Sequence, residues 1–323
     1  MPYRRATIGL ALFSAVTAIA GGTELVIWRQ GNRYVPIALL EKTPFQTFLI
    51  PGLLLGLLVG GASLWCAILA WRRSTYAIDG TLFAGATLAL WIVSEVALLR
   101  SIHPLHVFFG ILGLAILLLG LLAALRLAHP RHRWVIIVTL AEAVGFLAPA
   151  VTGVLTSVAE IAEGSRVLGL VGAGFFEGLV LGAGQAFAFT LPVRRGRYAL
   201  LTAVSASFVW AVVMSTMQLA KVDAVPAVVV VATGVVAGVL ALVAIGFAQW
   251  LELRHHTMNA RPWIAWTALA WAAALPFSFA PSPLVDAATP VSSHVALWSS
   301  AGLLMAYVMA LVTWQGARRL KAR

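Results

Sequence analysis

Charge is what this chain of 323 residues has least of: 10% of its residues are Asp, Glu, Lys or Arg, against about 25% in a soluble domain. So few charges cannot cover a water-facing surface, which excludes a soluble globular protein. Cysteine is scarcer still. Cys66 stands alone, so no intramolecular disulfide and no CxxC metal pattern is available. The HEXXH and GxSxG patterns are absent, as is a DDXXD-like one, and no catalytic residue or metal ligand is assigned. Long loops are missing as well. The longest, near residues 29–45, leaves no room for a nucleotide-binding domain, a receptor module or a water-soluble enzyme. Lysine is missing from the middle of every apolar run, which excludes a retinal-type Schiff base, and no cofactor is expected.

What the chain does have is apolar length, with 61% hydrophobic residues. Ten runs recur, over residues 7–28, 46–71, 76–99, 104–128, 134–156, 168–192, 198–220, 227–252, 263–281 and 294–316. Each is about 19–26 residues, enough to cross a hydrocarbon core of about 30 Å at 1.5 Å per residue. The expected fold is all-α, a polytopic integral membrane protein of about ten transmembrane helices. The first run continues past Gly21 and Gly22 to Trp28 without a cleavage site and reads as a retained span.

The net charge is +11. Its distribution points to topology, not to nucleic acid. Sixteen of the 22 Lys and Arg residues fall on one alternating set of flanks, including Arg4, Arg5, Arg72, Arg131, Arg194, Arg195, Arg254, Arg318 and Arg319. The other set holds Arg29, Arg33, Lys42, Arg100, Arg166 and Lys221. The positive-inside rule then predicts both termini in the cytoplasm, in the cell inner (plasma) membrane. The expected partners are the lipid bilayer, a small or amphiphilic ligand, and other membrane subunits.

The basic, proline-containing stretch "RLAHPRHRW" suggests a four-span half over 1–129 and a six-span half over 130–323. The second half carries a weak internal repeat. "LVLGAGQAFAFTLPVRRGRYALLTAV" lies over "LVAIGFAQWLELRHHTMNARPWIAWTAL", each with a small residue and a Gln, a basic turn, and then a Thr, at Thr202 and Thr267. Repeats of this kind are common in transporters. "TPFQTFLIPGLLLGLLVGG" at 43–61 resembles a segment of small uncharacterised four-span bacterial membrane proteins, and "GFAQWLELR" at 246–254 is similar to a pattern in uncharacterised multi-span bacterial proteins. These resemblances imply a bacterial origin and no particular activity.

A charged side chain near the bilayer centre costs at least about 2.5 kcal/mol, so ionisable residues there are functional hypotheses by default. Glu142 lies about 12 Å beyond Trp134, and Glu177 about 13 Å beyond Leu168, on consecutive spans. Two carboxylates at matching depth can share a proton or hold a cation. Gly174, Gly178 and Gly182 form a close-packing row beside Glu177. Gln185 is a further candidate ligand-binding residue, although interhelical hydrogen bonding is the commoner role. A secondary cluster toward the outer surface of the first half comprises Glu24, Glu95, Arg100, His103 and His106, where Glu95 with Arg100 reads as an interfacial ion pair. The leading expectation is a transporter or a small- or amphiphilic-ligand-binding membrane protein. The alternatives are a non-catalytic scaffold or accessory subunit of a membrane complex, and an intramembrane lipid-modifying enzyme.

Overall fold

The structure, a computed structural model, describes residues 2–159, 161–286 and 288–322. It is all-helical, with no strand among the described residues. Among the described residues ten helices are long and apolar enough to cross a membrane, the features of a polytopic membrane protein. They are α1 (Arg4–Ile27), α2 (Leu49–Trp71), α3 (Ala77–Leu99), α4 (Pro104–Leu127) and α5 (Pro130–Val158), followed by α6 (Glu163–Ala188), α7 (Arg195–Leu219), α8 (Ala227–Leu253), α9 (Pro262–Ser278) and α10 (Val291–Ala317).

The ends differ from the apolar runs for local reasons. Helix α5 begins at Pro130, before the apolar run, because proline is pre-organised for a first helical turn. Helix α6 stops at Ala188, short of the run's end, because Phe189 turns extended three residues before Pro192. Pro149 and Pro276 stay inside α5 and α9. Beyond Pro51-Gly52, α2 passes through a π-helical segment, Leu54–Gly60, before resuming as α-helix.

The chain forms two compact units: Met1–His129 with Pro281–Ser300, and Pro130–Ala280 with Ala301–Arg323. Residues 281–300, grouped by sequence with the later spans, therefore cluster with the first unit. In that unit, α1 and α2 approach backbone to backbone. A Cβ at Gly22 would stand 2.6 Å from the Gly52 carbonyl oxygen and the Gly56 nitrogen. Ser14 and Ser63 hydrogen-bond across this seam at 2.9 Å. Ser293 on the first turn of α10 donates to the Ala97 carbonyl at 2.7 Å.

The second unit has an aromatic centre. The Phe189 ring lies 4.8 Å from Trp134, 5.5 Å from Trp263 and 5.6 Å from Tyr198, centroid to centroid. Each of those three residues stands in the opening turns of a helix that follows a basic turn, and each donates a polar hydrogen to a helix ending nearby. Trp134 donates to Thr313 on α10 (3.2 Å), Tyr198 to Gln185 on α6 (3.1 Å), and Trp263 to Gln249 on α8 (2.8 Å). Rings with a polar edge suit this place because each fills the core while satisfying its donor. At the same end, Glu252 is fully buried and accepts from the Arg194 backbone N–H (3.0 Å), with Arg197 at 3.4 Å and His256 at 2.7 Å. It ties the α6–α7 turn to the end of α8.

Candidate functional site

The site grows from the way α5, α6 and α7 pack. Gly145 on α5 lies against the backbone of Glu177, where a Cβ would meet the Glu177 carbonyl oxygen at 2.9 Å. Gly184, later on α6, lies against Ala141, earlier on α5. One number rises as the other falls, so the helices run antiparallel. Glu142 is thereby brought beside α6 between those two crossings. It is the thirteenth of 29 residues of α5, and Glu177 is the fifteenth of 26 of α6, so both stand near mid-helix.

On its other side α6 meets α7 through the glycine row. A Cβ at Gly178 would come 2.7 Å from the Thr202 carbonyl oxygen and 2.9 Å from Ala203 Cα, and one at Gly182 would come 2.8 Å from Ala199 Cα. Gly174 is covered by the indole of Trp210. That indole donates Nε1–H to Glu177 Oε2 at 2.8 Å. The glycine row therefore does more than join two helices: its first member admits the ring that holds the carboxylate.

Glu142 is 0% exposed and Glu177 7%, and the two carboxyls interact directly. Neither oxygen of an ionised Glu142 has a hydrogen-bond donor among the described residues. Between Trp134 and Ala188 the one basic side chain is Arg166, eleven residues from Glu177, about 16 Å along the helix. Burying two uncompensated carboxylates side by side is far costlier than neutralising one. A proton held between them turns one carboxyl into a donor and satisfies both. One turn before Glu142 on the same face, the buried Thr139 hydroxyl also lacks a partner. Thr81, Thr202 and Thr313 instead bond back to the carbonyl four residues earlier, at 2.7, 2.9 and 2.9 Å. The α5 face thus carries, one turn from the carboxyl pair's Glu142, a further buried hydroxyl without a partner among the described residues.

Gln185 is placed elsewhere. Its Oε1 accepts from Tyr198 Oη and, at 2.7 Å, from Gln249 Nε2, which also reaches Thr202 Oγ1 at 3.2 Å. With Trp263 on Gln249, this network joins α6, α7, α8 and α9, and its members are essentially fully buried. No hydrogen bond links Gln185 to either glutamate among the described residues. The repeat legible in sequence acquires its reason here. Gly182, Gln185, Tyr198 and Thr202 recur as Gly246, Gln249, Trp263 and Thr267, with Gly246 pressed on Ile264 and Thr267 as Gly182 is on Ala199 and Thr202. A Gln249→Leu substitution leaves Trp263 Nε1–H without its Gln249 acceptor, while Gln185 keeps the hydrogen bond from Tyr198. We expect it to cost roughly 1–3 kcal/mol of stability, the cost of one orphaned buried donor, read as a lowered thermal midpoint in detergent.

The secondary cluster is partly assembled, all within the first unit. His106 Nε2 faces Glu95 Oε2 at 3.9 Å. His103 Nδ1 accepts from the Leu105 N–H at 3.3 Å, and His106 Nδ1 accepts from the His103 N–H at 3.0 Å, so the two histidines cap α4 reciprocally. Asn32 donates to Glu24 at 2.9 Å. Arg100 ends α3 in a left-handed conformation and acts electrostatically on Asp286. The expected Glu95–Arg100 pair is replaced by Glu95 facing His106, since the left-handed cap turns the chain at Arg100. The Asp286 carboxyl is held below its ordinary range, first by the hydrogen bond from Thr289. No group of three His, Cys, Asp or Glu side chains is arranged for a metal among the described residues.

Sequence reasoning did not assign Trp210 to Glu177, nor Tyr198 and Trp263 to the glutamines. No family model, curated protein or solved structure matches the chain.

Proposed function

We propose that the protein is a transporter of a small or amphiphilic ligand, with the Glu142–Glu177 pair as its proton- or cation-binding site. The observation that carries this is Glu142 itself: mid-helix, fully buried, beside a second carboxylate, and with no other donor on either oxygen among the described residues. A pair holding one proton keeps a single negative charge, and a second proton or a small cation would discharge it. That discharge weakens the hold of Glu177 on the Trp210 indole at the α6–α7 seam, which couples charge to helix packing. The positive-inside asymmetry supports cytoplasmic termini in a bacterial inner membrane.

Two measurements test the reading. Dicyclohexylcarbodiimide, which modifies protonated intramembrane carboxyls, is expected to label the Glu142 or Glu177 peptide at neutral pH, and to label neither in the Glu142→Gln, Glu177→Gln double variant. In everted vesicles with an imposed pH gradient, at least one of a panel of amines, amino acids and lipophilic cations should release protons through the wild type and not through Glu177→Gln. Absent labelling together with no proton release by any panel member would overturn the proposal.

A second reading, an accessory subunit, is favoured by one feature. Gly234 and Gly238 on α8 have no described atom within 4 Å of where a Cβ would stand, so this small-residue face is open to another helix.

A further inference from the structure

The first unit holds a cavity of about 590 Å³ bounded by α1, the 34–48 connection, α2, α3 and the start of α4. We propose that it is a second binding site, independent of the carboxylate pair, for a single-chain amphiphile with an ammonium head.

The volume lies within the roughly 300–1,000 Å³ of small-molecule sites. Most of its wall is apolar, from leucines of α1, α2 and α3 and from Phe45, Phe48 and Phe109, which suits an alkyl chain. The titratable groups gather toward one part of the wall, from three elements: Glu24 at the end of α1, Glu95 at the end of α3, and His103 with His106 at the start of α4. Among the described residues no Lys or Arg lines the cavity. Both histidines spend Nδ1 as an acceptor for a backbone N–H. With Nδ1 occupied in this way, neither histidine offers that nitrogen to a ligand. Glu95 Oε2 is 3.9 Å from His106 Nε2, beyond hydrogen-bond range, and the Trp91 side chain donates to the same carboxyl, which keeps further acceptor capacity for a ligand. Glu24 has one oxygen bonded to Asn32 and its second oxygen remains. Trp91 and Tyr34 also line the cavity and add ring faces that attract a cation.

Carboxylates, aromatic faces and a missing basic group select an ammonium and reject a sulfate, phosphate or carboxylate head. The π-helical segment of α2 supplies Leu54 and Leu55 to the wall. Such widened turns occur frequently at functional sites.

The test compares heads on one tail. Dodecyltrimethylammonium, dodecyl sulfate and dodecyl maltoside are titrated, below micelle-forming concentrations, into the protein in phosphatidylglycerol nanodiscs, with empty nanodiscs subtracted. Bound molecules are counted by native mass spectrometry. The ammonium compound should bind at one site at least about tenfold more tightly than the sulfate. Glu95→Gln with Glu24→Gln should weaken it about tenfold while leaving maltoside binding unchanged, and Trp91→Leu should weaken it severalfold. Glu177→Gln should leave it unaltered, which separates this site from the transport reading. Equal binding of ammonium and sulfate, or no effect of the paired glutamine substitutions in a folded protein, would overturn the assignment. Loss of ammonium binding in phosphatidylcholine nanodiscs would overturn it too, because a bilayer lipid's own head would then be the occupant.

Discussion

Replacing Gly178 with alanine is expected to separate α6 from α7 and to lower the thermal midpoint sharply, at a cost of roughly 1–3 kcal/mol or more. The added methyl would stand 2.6 Å from Ala206 Cβ, 2.7 Å from the Thr202 carbonyl oxygen and 2.9 Å from Ala203 Cα. Two of those three are backbone atoms of a helix that cannot step aside without dismantling its own hydrogen bonds. Gly172, two turns away on the same helix, is the control. No described atom beyond its own helix backbone and chain neighbours lies within 4 Å of its would-be Cβ, so Gly172→Ala should be neutral, or stabilising by up to about 1 kcal/mol. The comparison holds helix propensity constant and isolates the seam. Gly174→Ala adds a different effect. Its methyl displaces the Trp210 indole, so Glu177 loses its donor as well as its packing. We expect Gly174→Ala to alter carbodiimide labelling of the carboxyl pair in material that still folds. Equal midpoints for Gly172→Ala and Gly178→Ala, measured by dye-monitored unfolding in one detergent, would show that the seam does not hold the unit together.

The seam also shows how far a sequence can be read. Gly174 lies fifteen residues before Phe189, and Trp210 lies sixteen beyond Arg194. Gly178 and Ala206 stand at eleven and twelve, Gly182 and Thr202 at seven and eight. Counted from their shared turn, the two helices are in register, so the pairing of glycine row with α7 was available from spacing alone. That Trp210 would turn its N–H onto Glu177 was not, because depth does not set azimuth or rotamer. Glu142 and Glu177 were legible as a matched pair because apolar runs make a lone carboxylate conspicuous. Gln185 was harder to place. A polar amide eight residues from a glutamate is about 80° away around the helix, and it serves a different neighbour. The partnership of Trp134 with Thr313 was hidden for another reason: α5 and α10 lie at opposite ends of the second unit's sequence, and short-range pattern does not join them. The exchange of residues 281–300 into the first unit has the same origin, since Ser293 bonds to Ala97 nearly two hundred residues earlier.

The pair's role divides on a stability measurement. If Glu142 were a structural brace, removing its carboxyl would destabilise the fold. If it is kept for binding, it is a cost the fold carries, and Glu142→Met should be neutral or stabilising by about 1–4 kcal/mol, as when buried ionic groups give way to apolar ones of similar volume. Apart from the proton it shares with Glu177, Glu142 has no donor to lose among the described residues, and its removal frees Glu177 from a neighbouring carboxylate. Glu177→Met should behave oppositely. It strands the Trp210 N–H, at roughly 1–3 kcal/mol. The expected result is thus asymmetric: a raised or unchanged midpoint for Glu142→Met, a lowered one for Glu177→Met, and loss of proton release for both. A stabilised protein that no longer releases protons would establish Glu142 as a group retained for its chemistry. Comparable destabilisation by both substitutions, with proton release intact in whatever folds, would make the pair a buried cross-brace, and the transport reading would lose the observation on which it rests.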